Sequence, residues 1–219
     1  MNIFLKRIKH NHIEIMMIFI VILGIYLRFK GLTYNNHWLD ELYSADFSDP
    51  SRSFYGMLKI TLEDVHPPLY QSILWLWYKA FGFTEFSGRS LSALTGTFGI
   101  ITVYLLGKEL FNKQVGLYAA IIISTNVFLI KYSQEVRSYE LLFLLSMLSF
   151  IYLYRVIFNP NKKNTLYYWL LTIILFYTHY ISFFIVVIQL AIVIIYTLFF
   201  LEIISVVKSF MFYFLAIII

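Results

Sequence analysis

Cysteine is absent from the 219 residues, which excludes thiolate nucleophiles, thiolate metal sites and disulfides. Charge is also scarce. Only 13% of the chain is Asp, Glu, Lys or Arg, against about a quarter of a typical soluble domain. The sequence has no Gly-rich phosphate loop, no internal repeat, no low-complexity tract and no stretch polar enough to be a separate soluble domain. What it has in excess is grease: 60% hydrophobic, 20% aromatic and a mean hydropathy of +0.76. This composition predicts an all-α polytopic membrane protein. The formal charge of +5 comes largely from cations beside apolar runs, a pattern that orients helices in a bilayer and does not suggest a nucleic-acid partner.

The apolar runs set the frame. Residues 13–29 are long enough to span, and Lys6, Arg7 and Lys9 before them predict a cytoplasmic N-terminus. With no small-residue cleavage site following, the run reads as an uncleaved first span. Arg28 and Lys30 at its far end read as snorkelling cations. Further spans are predicted over 90–107, 115–130, 139–158, 166–177 and 181–201, with the lysine-bearing turns 108–114 and 159–164 inside. Residues 69–83 are short and rich in Trp and Tyr. Read as an interfacial or re-entrant helix, they leave all the lysine-rich turns on one side, so this is the reading preferred. Residues 54–62 read as a second interfacial piece, and Ala93, Gly96 and Gly99 as small residues for close helix packing. The apolar run 210–219 is too short to span, so the chain is expected to be the N-terminal part of a longer protein.

Between the first two spans lies the chemistry. Residues 31–68 hold Asp40, Glu41, Asp46, Asp49, Glu63 and Asp64, half of the 12 acids. Asp40 and Glu41 are adjacent carboxylates flanked by Trp38, Leu39 and Leu42, placed to act as a general base or to ligate a cation. His66 is held by Pro67 and Pro68 beside two acids, which makes it a candidate for contact with phosphate or metal. At the next polar turn, alternation would put Glu135, Arg137 and Tyr139 on one side. Arg137 suits a bidentate grip on phosphate, and the alternative is a local Glu135–Arg137 surface pair. His179 reads as an interfacial anchor with Tyr177 and Tyr180, and Arg89 as a membrane-edge cation.

Six pieces in order carry a resemblance. They are Trp38-Leu39-Asp40-Glu41, His66-Pro67-Pro68-Leu69-Tyr70, and Phe81-Gly82 with Glu85-Phe86 and Arg89. Then come Tyr104-Leu105-Leu106-Gly107-Lys108-Glu109-Leu110-Phe111, the run from Tyr132 through Ser133-Gln134-Glu135-Val136-Arg137-Ser138 to Tyr139, and Thr178-His179-Tyr180. With these the chain resembles the N-terminal part of a GT-C class, polyprenyl-phosphate-sugar-dependent membrane glycosyltransferase. The nearest group is family 39, which includes the protein mannosyltransferases and the lipid A and cell-surface glycosyltransferases. The resemblance implies a helix bundle whose first outer loop, 31–89, carries short juxtamembrane helices. It implies Asp40 as the catalytic base with Glu41 beside it. His66, Arg137 and Tyr139 would hold the donor phosphate, and Glu135 with His66 a divalent metal. The implied partners are a polyprenyl-phosphate sugar, the bilayer and an acceptor hydroxyl on a protein, lipid or glycan. Family members are far longer, so a non-catalytic membrane fragment or assembly partner is the alternative. A transporter fits less well, because the acids gather in loops.

Overall fold

The computed structural model describes residues 2–200, with side chains described over 12–199. The described residues form ten helices and no strand. They are α1 (Asn2–Phe29), α2 (Leu39–Phe47), α3 (Phe54–Glu63), α4 (Leu69–Phe81), α5 (Glu85–Leu110), α6 (Lys113–Thr125), α7 (Val127–Ser133), α8 (Tyr139–Phe158), α9 (Lys162–Phe176) and α10 (Ser182–Phe200). Four of these, α1, α5, α8 and α10, are long and apolar enough to cross a membrane, and α6 with α7 makes a fifth candidate bent by 62°. The chain is an all-α polytopic membrane protein. The expected incomplete span at 210–219 lies outside the described residues.

Helix α5 is the axis on which α1, α4, α6, α7 and α8 pack. Its small residues make that possible. Gly107 lies so close to the Gly116 backbone that a Cβ would sit 2.8 Å from the Gly116 Cα, and Gly99 faces the Phe143 ring. Two apolar clusters flank the axis. One joins Tyr70, Leu74 and Tyr78 of α4 to Leu91, Val136, Leu145 and Leu175. The other joins Ile13, Met17 and Ile20 of α1 to Ile100, Leu117 and Ala120. One end of the bundle is tied by ion pairs between Glu14 and Lys113 and between Glu109 and Arg155. The other end carries α2, α3 and α4. At 13 residues, α4 is about 20 Å long, short of a hydrocarbon core of about 30 Å. Its buried stripe Tyr70, Leu74, Tyr78, spaced four apart, lies against α5.

The structure corrects three expectations of this frame. The expected span 166–177 falls on α9, which at 15 residues is not among the helices long and apolar enough to cross a membrane. The run 115–130 is not one helix. Asn126 is extended (ψ 116°) and its side chain accepts from Leu129 N at 3.0 Å, capping a new helix inside the apolar run. The break leaves the last carbonyls of α6 without helical donors, and Arg28 supplies them: Nη1 donates to Ser124 O and Nη2 to Ile123 O, each at 3.1 Å. Arg28 therefore does not snorkel to the surface but is fully buried.

Candidate functional site

Helix α2 begins at Leu39, so the adjacent acids Asp40 and Glu41 fall in its first turn and project about 100° apart around the axis. The two carboxylates have opposite fates. Glu41 is 1% exposed and its oxygens meet four donors. Oε1 accepts from Arg89 Nε (2.8 Å) and Val136 N (2.9 Å), and Oε2 from Arg89 Nη2 (2.6 Å) and Trp38 N (3.2 Å). Burial alone would raise this carboxyl. The Arg89 fork and the two backbone N–H groups outweigh it and hold the carboxyl below its ordinary value. Arg89 in turn donates Nη1 to Leu32 O and Asn35 O and Nη2 to Asn36 O. It is a buried clamp, not a membrane-edge cation. The clamp fixes the loop before α2, the start of α2 and the turn at Val136 against α5. With both oxygens so occupied, Glu41 is committed to holding these elements together.

Asp40 faces a cavity of about 510 Å³ lined by Tyr43, Ser44, Phe47, Asp64, His66, Gln71 and Arg137. Its side chain is 38% exposed, and Arg137 Nη2 lies 3.7 Å from Oδ2. Arg137 Nη1 also donates to Asp40 O at 3.3 Å. On the far wall, His66 Nδ1 and Asp64 Oδ2 are 2.7 Å apart, and Arg137 Nη2 approaches His66 Nε2 at 3.4 Å. Because a guanidinium only donates, this geometry assigns the proton to Nδ1, shared with Asp64, and leaves Nε2 as acceptor. Burial raises the Asp64 carboxyl, but its bond to His66 together with the backbone N–H groups of Val65 and His66 outweighs this, and the net shift is downward.

Tyr139 does not line the cavity. Its ring packs under the Arg137 guanidinium (5.6 Å) and against His179 (5.8 Å), and His179 in turn meets His66 edge-on at 6.5 Å. His179 is thus part of the wall behind the cavity and not merely an interfacial anchor. Burial, with His66 and Arg137 nearby, lowers its pKa.

Glu135 departs from the expected arrangement. The peptide turn Glu135–Arg137 closes with Arg137 N donating to Glu135 O at 2.8 Å, a three-residue reversal that sends the flanking side chains apart. Arg137 enters the Asp40 cavity. Glu135 lines a different one, of about 370 Å³, with Trp38, Asn35, Asn36, Lys131 and Gln134. Glu135 and His66 thus line different cavities, and among the described residues no three His, Cys, Asp or Glu side chains converge as metal ligands.

Asp64, Ser44 and Gln71 are cavity residues that the sequence pattern did not single out as such. Asp64, two residues before His66, was the most accessible of the three.

Comparison with curated proteins and with solved structures returns no match. The profile of the dolichyl-phosphate-mannose-protein mannosyltransferase family matches residues 65–219. That stretch carries His66, Arg89, Glu135, Arg137 and Tyr139, while Asp40 and Glu41 precede it. Within the matched stretch Arg89 clasps Glu41 and Arg137 faces Asp40, so the cavity is built from both sides of that boundary. On this match the chain belongs to the dolichyl-phosphate-mannose-protein mannosyltransferase family, membrane glycosyltransferases of the polyprenyl-phosphate-sugar type.

Proposed function

We propose that the Asp40 cavity catalyses sugar transfer from a polyprenyl phosphate to an acceptor hydroxyl at the outer membrane face, with inversion. The observation that carries this reading is the pairing, in one cavity, of an accessible carboxylate with a guanidinium. Asp40 and Arg137 lie 3.7 Å apart with the neutral edge of His66 beside them. Asp40 takes the proton of the acceptor hydroxyl as its oxygen attacks the anomeric carbon. The bond from that carbon to the phosphate oxygen breaks, and the electron pair leaves with the lipid phosphate. Arg137 offsets the charge gathering on that phosphate, and Tyr139 beneath it holds the guanidinium plane. In the ligand-free protein Arg137 leans on Asp40. A phosphate competes for it, so donor binding itself frees the carboxylate to act as base. His66, oriented by Asp64, presents an acceptor nitrogen that becomes a second phosphate donor if it gains a proton.

The test measures transfer rate and donor affinity side by side. Asp40→Asn keeps the shape and removes the base, so transfer is expected to fall by about 10²–10⁴-fold, with donor affinity little changed. Near-normal transfer by this variant overturns the assignment. Lost donor binding recasts Asp40 as part of the phosphate site.

A second reading, a non-catalytic assembly partner, predicts that the parent chain binds a polyprenyl phosphate yet transfers no sugar under any acceptor.

A further inference from the structure

The second cavity, on the other side of the Glu41 clamp from Asp40, has no role in the mechanism above. Its floor is spent: Glu41 and Arg89 use their polar atoms on each other and on the backbone. Gln134 Nε2 is likewise committed to the carbonyls of Leu27, Arg28 and Lys30. What remains unspent is specific. Glu135 is 9% exposed, and its Oε2 is buried with no hydrogen-bond partner. Lys131 Nζ stands 4.0 Å from the other oxygen. Trp38, 47% exposed, offers an indole ring at the wall, and exposed Asn35 and Asn36 add side-chain amides.

We propose that this cavity is a sugar-ring site, taking a pyranose on Trp38 with its hydroxyls bonded to Glu135, Lys131 and the Asn35–Asn36 edge. The charges do not favour an ion of either sign: Arg89 neutralises Glu41 and Lys131 stands against Glu135, so the lining carries no net charge. A neutral polyol supplies donors for the orphaned carboxyl oxygen and acceptors for the ammonium and amides, while its apolar ring face covers the indole. At about 370 Å³ the cavity is within the range of small-ligand sites, roughly 300–1,000 Å³.

The inference rests on the glycosyltransferase reading for its biological sense but is tested apart from it. Full-length protein in detergent is probed by saturation-transfer NMR with methyl hexopyranosides and, separately, with a threonine-containing peptide and a sugar-free polyprenyl phosphate. The parent protein is expected to bind a methyl hexopyranoside. Trp38→Leu should abolish the signal, and Glu135→Gln should weaken binding about tenfold, the loss of one hydrogen bond to a charged group. Both variants should still bind polyprenyl phosphate, which also reports that they fold. Neither a sugar-bearing donor nor the bare polyprenyl phosphate should displace the glycoside, because the donor is held at Asp40 across the Glu41 clamp; displacement by either overturns the inference. Absence of pyranose binding by the parent overturns the inference, as does parental affinity in both variants. So does peptide binding, in place of sugar, that Trp38→Leu removes. Any of these with polyprenyl phosphate still bound leaves the Asp40 mechanism standing, whereas lost polyprenyl phosphate binding with the pyranose retained strikes only that mechanism.

Discussion

Glu41→Gln is nearly isosteric, yet it is predicted to cost far more stability than its neighbour's Asp40→Asn. The wild-type carboxylate divides four donors between two oxygens, one arm of Arg89 and one backbone N–H on each. A glutamine has one carbonyl oxygen, so whichever way the amide turns it keeps one such pair. On the other side its NH₂ faces an Arg89 nitrogen and a backbone N–H, donor against donor. The loss is one charged hydrogen bond, about 1.5–3 kcal/mol, and one backbone bond of about 1 kcal/mol. Arg89 keeps its charge at 5% exposure, and breaking a buried pair by removing one partner typically costs about 3–5 kcal/mol. The two routes agree on about 3–4 kcal/mol. Reversible unfolding of the detergent-solubilised full chain reads this directly. Arg89→Met should be similarly costly, and the double variant should cost less than the sum, with a coupling of up to about 3 kcal/mol. Transfer should fall with stability, because Val136 N, the neighbour of Arg137, loses its anchor. A Glu41→Gln protein within about 0.5 kcal/mol of the parent, the ordinary scatter of surface changes, would refute the clamp and return Glu41 to the role of a second catalytic acid.

Other perturbations test neighbouring parts. Gly96→Ala places a Cβ 2.5 Å from Ser133 Oγ and 2.7 Å from Glu140 Oε2; overpacking there should cost about 1–3 kcal/mol in unfolding measurements, and an unchanged stability would show that α5 can retreat. Arg137→Lys keeps the charge but loses the planar fork, so binding of a polyprenyl-phosphate analogue should weaken about tenfold; equal affinity removes Arg137 from the phosphate site. Burial depresses His179 and His37 below the ordinary value near 6.5. The unfolded chain therefore takes up protons first, and stability present above about pH 6.5 should be lost as pH falls through the folded values; His179→Gln should flatten the slope, and an unaltered slope discards this residue as its source. Single cysteines at the exposed positions Phe86 and Lys131 should react with impermeant reagent from outside and one at Asn161 only after permeabilisation; labelling of position 86 from the cytoplasm alone overturns the orientation.

Much of the frame was legible because it is local. Residues 139–158 form a helix with the bounds expected from hydropathy, and the expected 69–83 segment holds a short helix, Leu69–Phe81, beside α5. The approach of His66 to Arg137 is foreshadowed only by their family motifs, since 71 residues separate them. What escaped is what depends on distant partners. Nothing near Arg89 announces Glu41, 48 residues earlier, and nothing near Arg28 announces the carbonyls of Ile123 and Ser124. Both arginines sit at the ends of apolar runs, where position alone suggests surface cations. Glu135 was misplaced for another reason. Alternation holds for extended chain, but the Arg137 N to Glu135 O bond closes a turn in which residues two apart diverge. Asn126 was a signal in plain view, a capping residue three before Leu129, masked by the apolar residues around it.

The plug that Arg28 places in the α6 break has a consequence for biogenesis. Helix α6 cannot bend in a lipid setting while its last carbonyls lack donors, since hydrocarbon supplies none. The donors come from α1, which leaves the ribosome first. By the time residues 113–133 enter the bilayer, the guanidinium that accommodates their bend is already waiting on the first helix. Asn126 starts the break locally, and docking on Arg28 completes it. A chain whose first span is deleted, or replaced by an equally apolar helix without the arginine, should insert residues 113–133 as a straighter rod and so carry the turn at Glu135–Arg137 to the wrong depth.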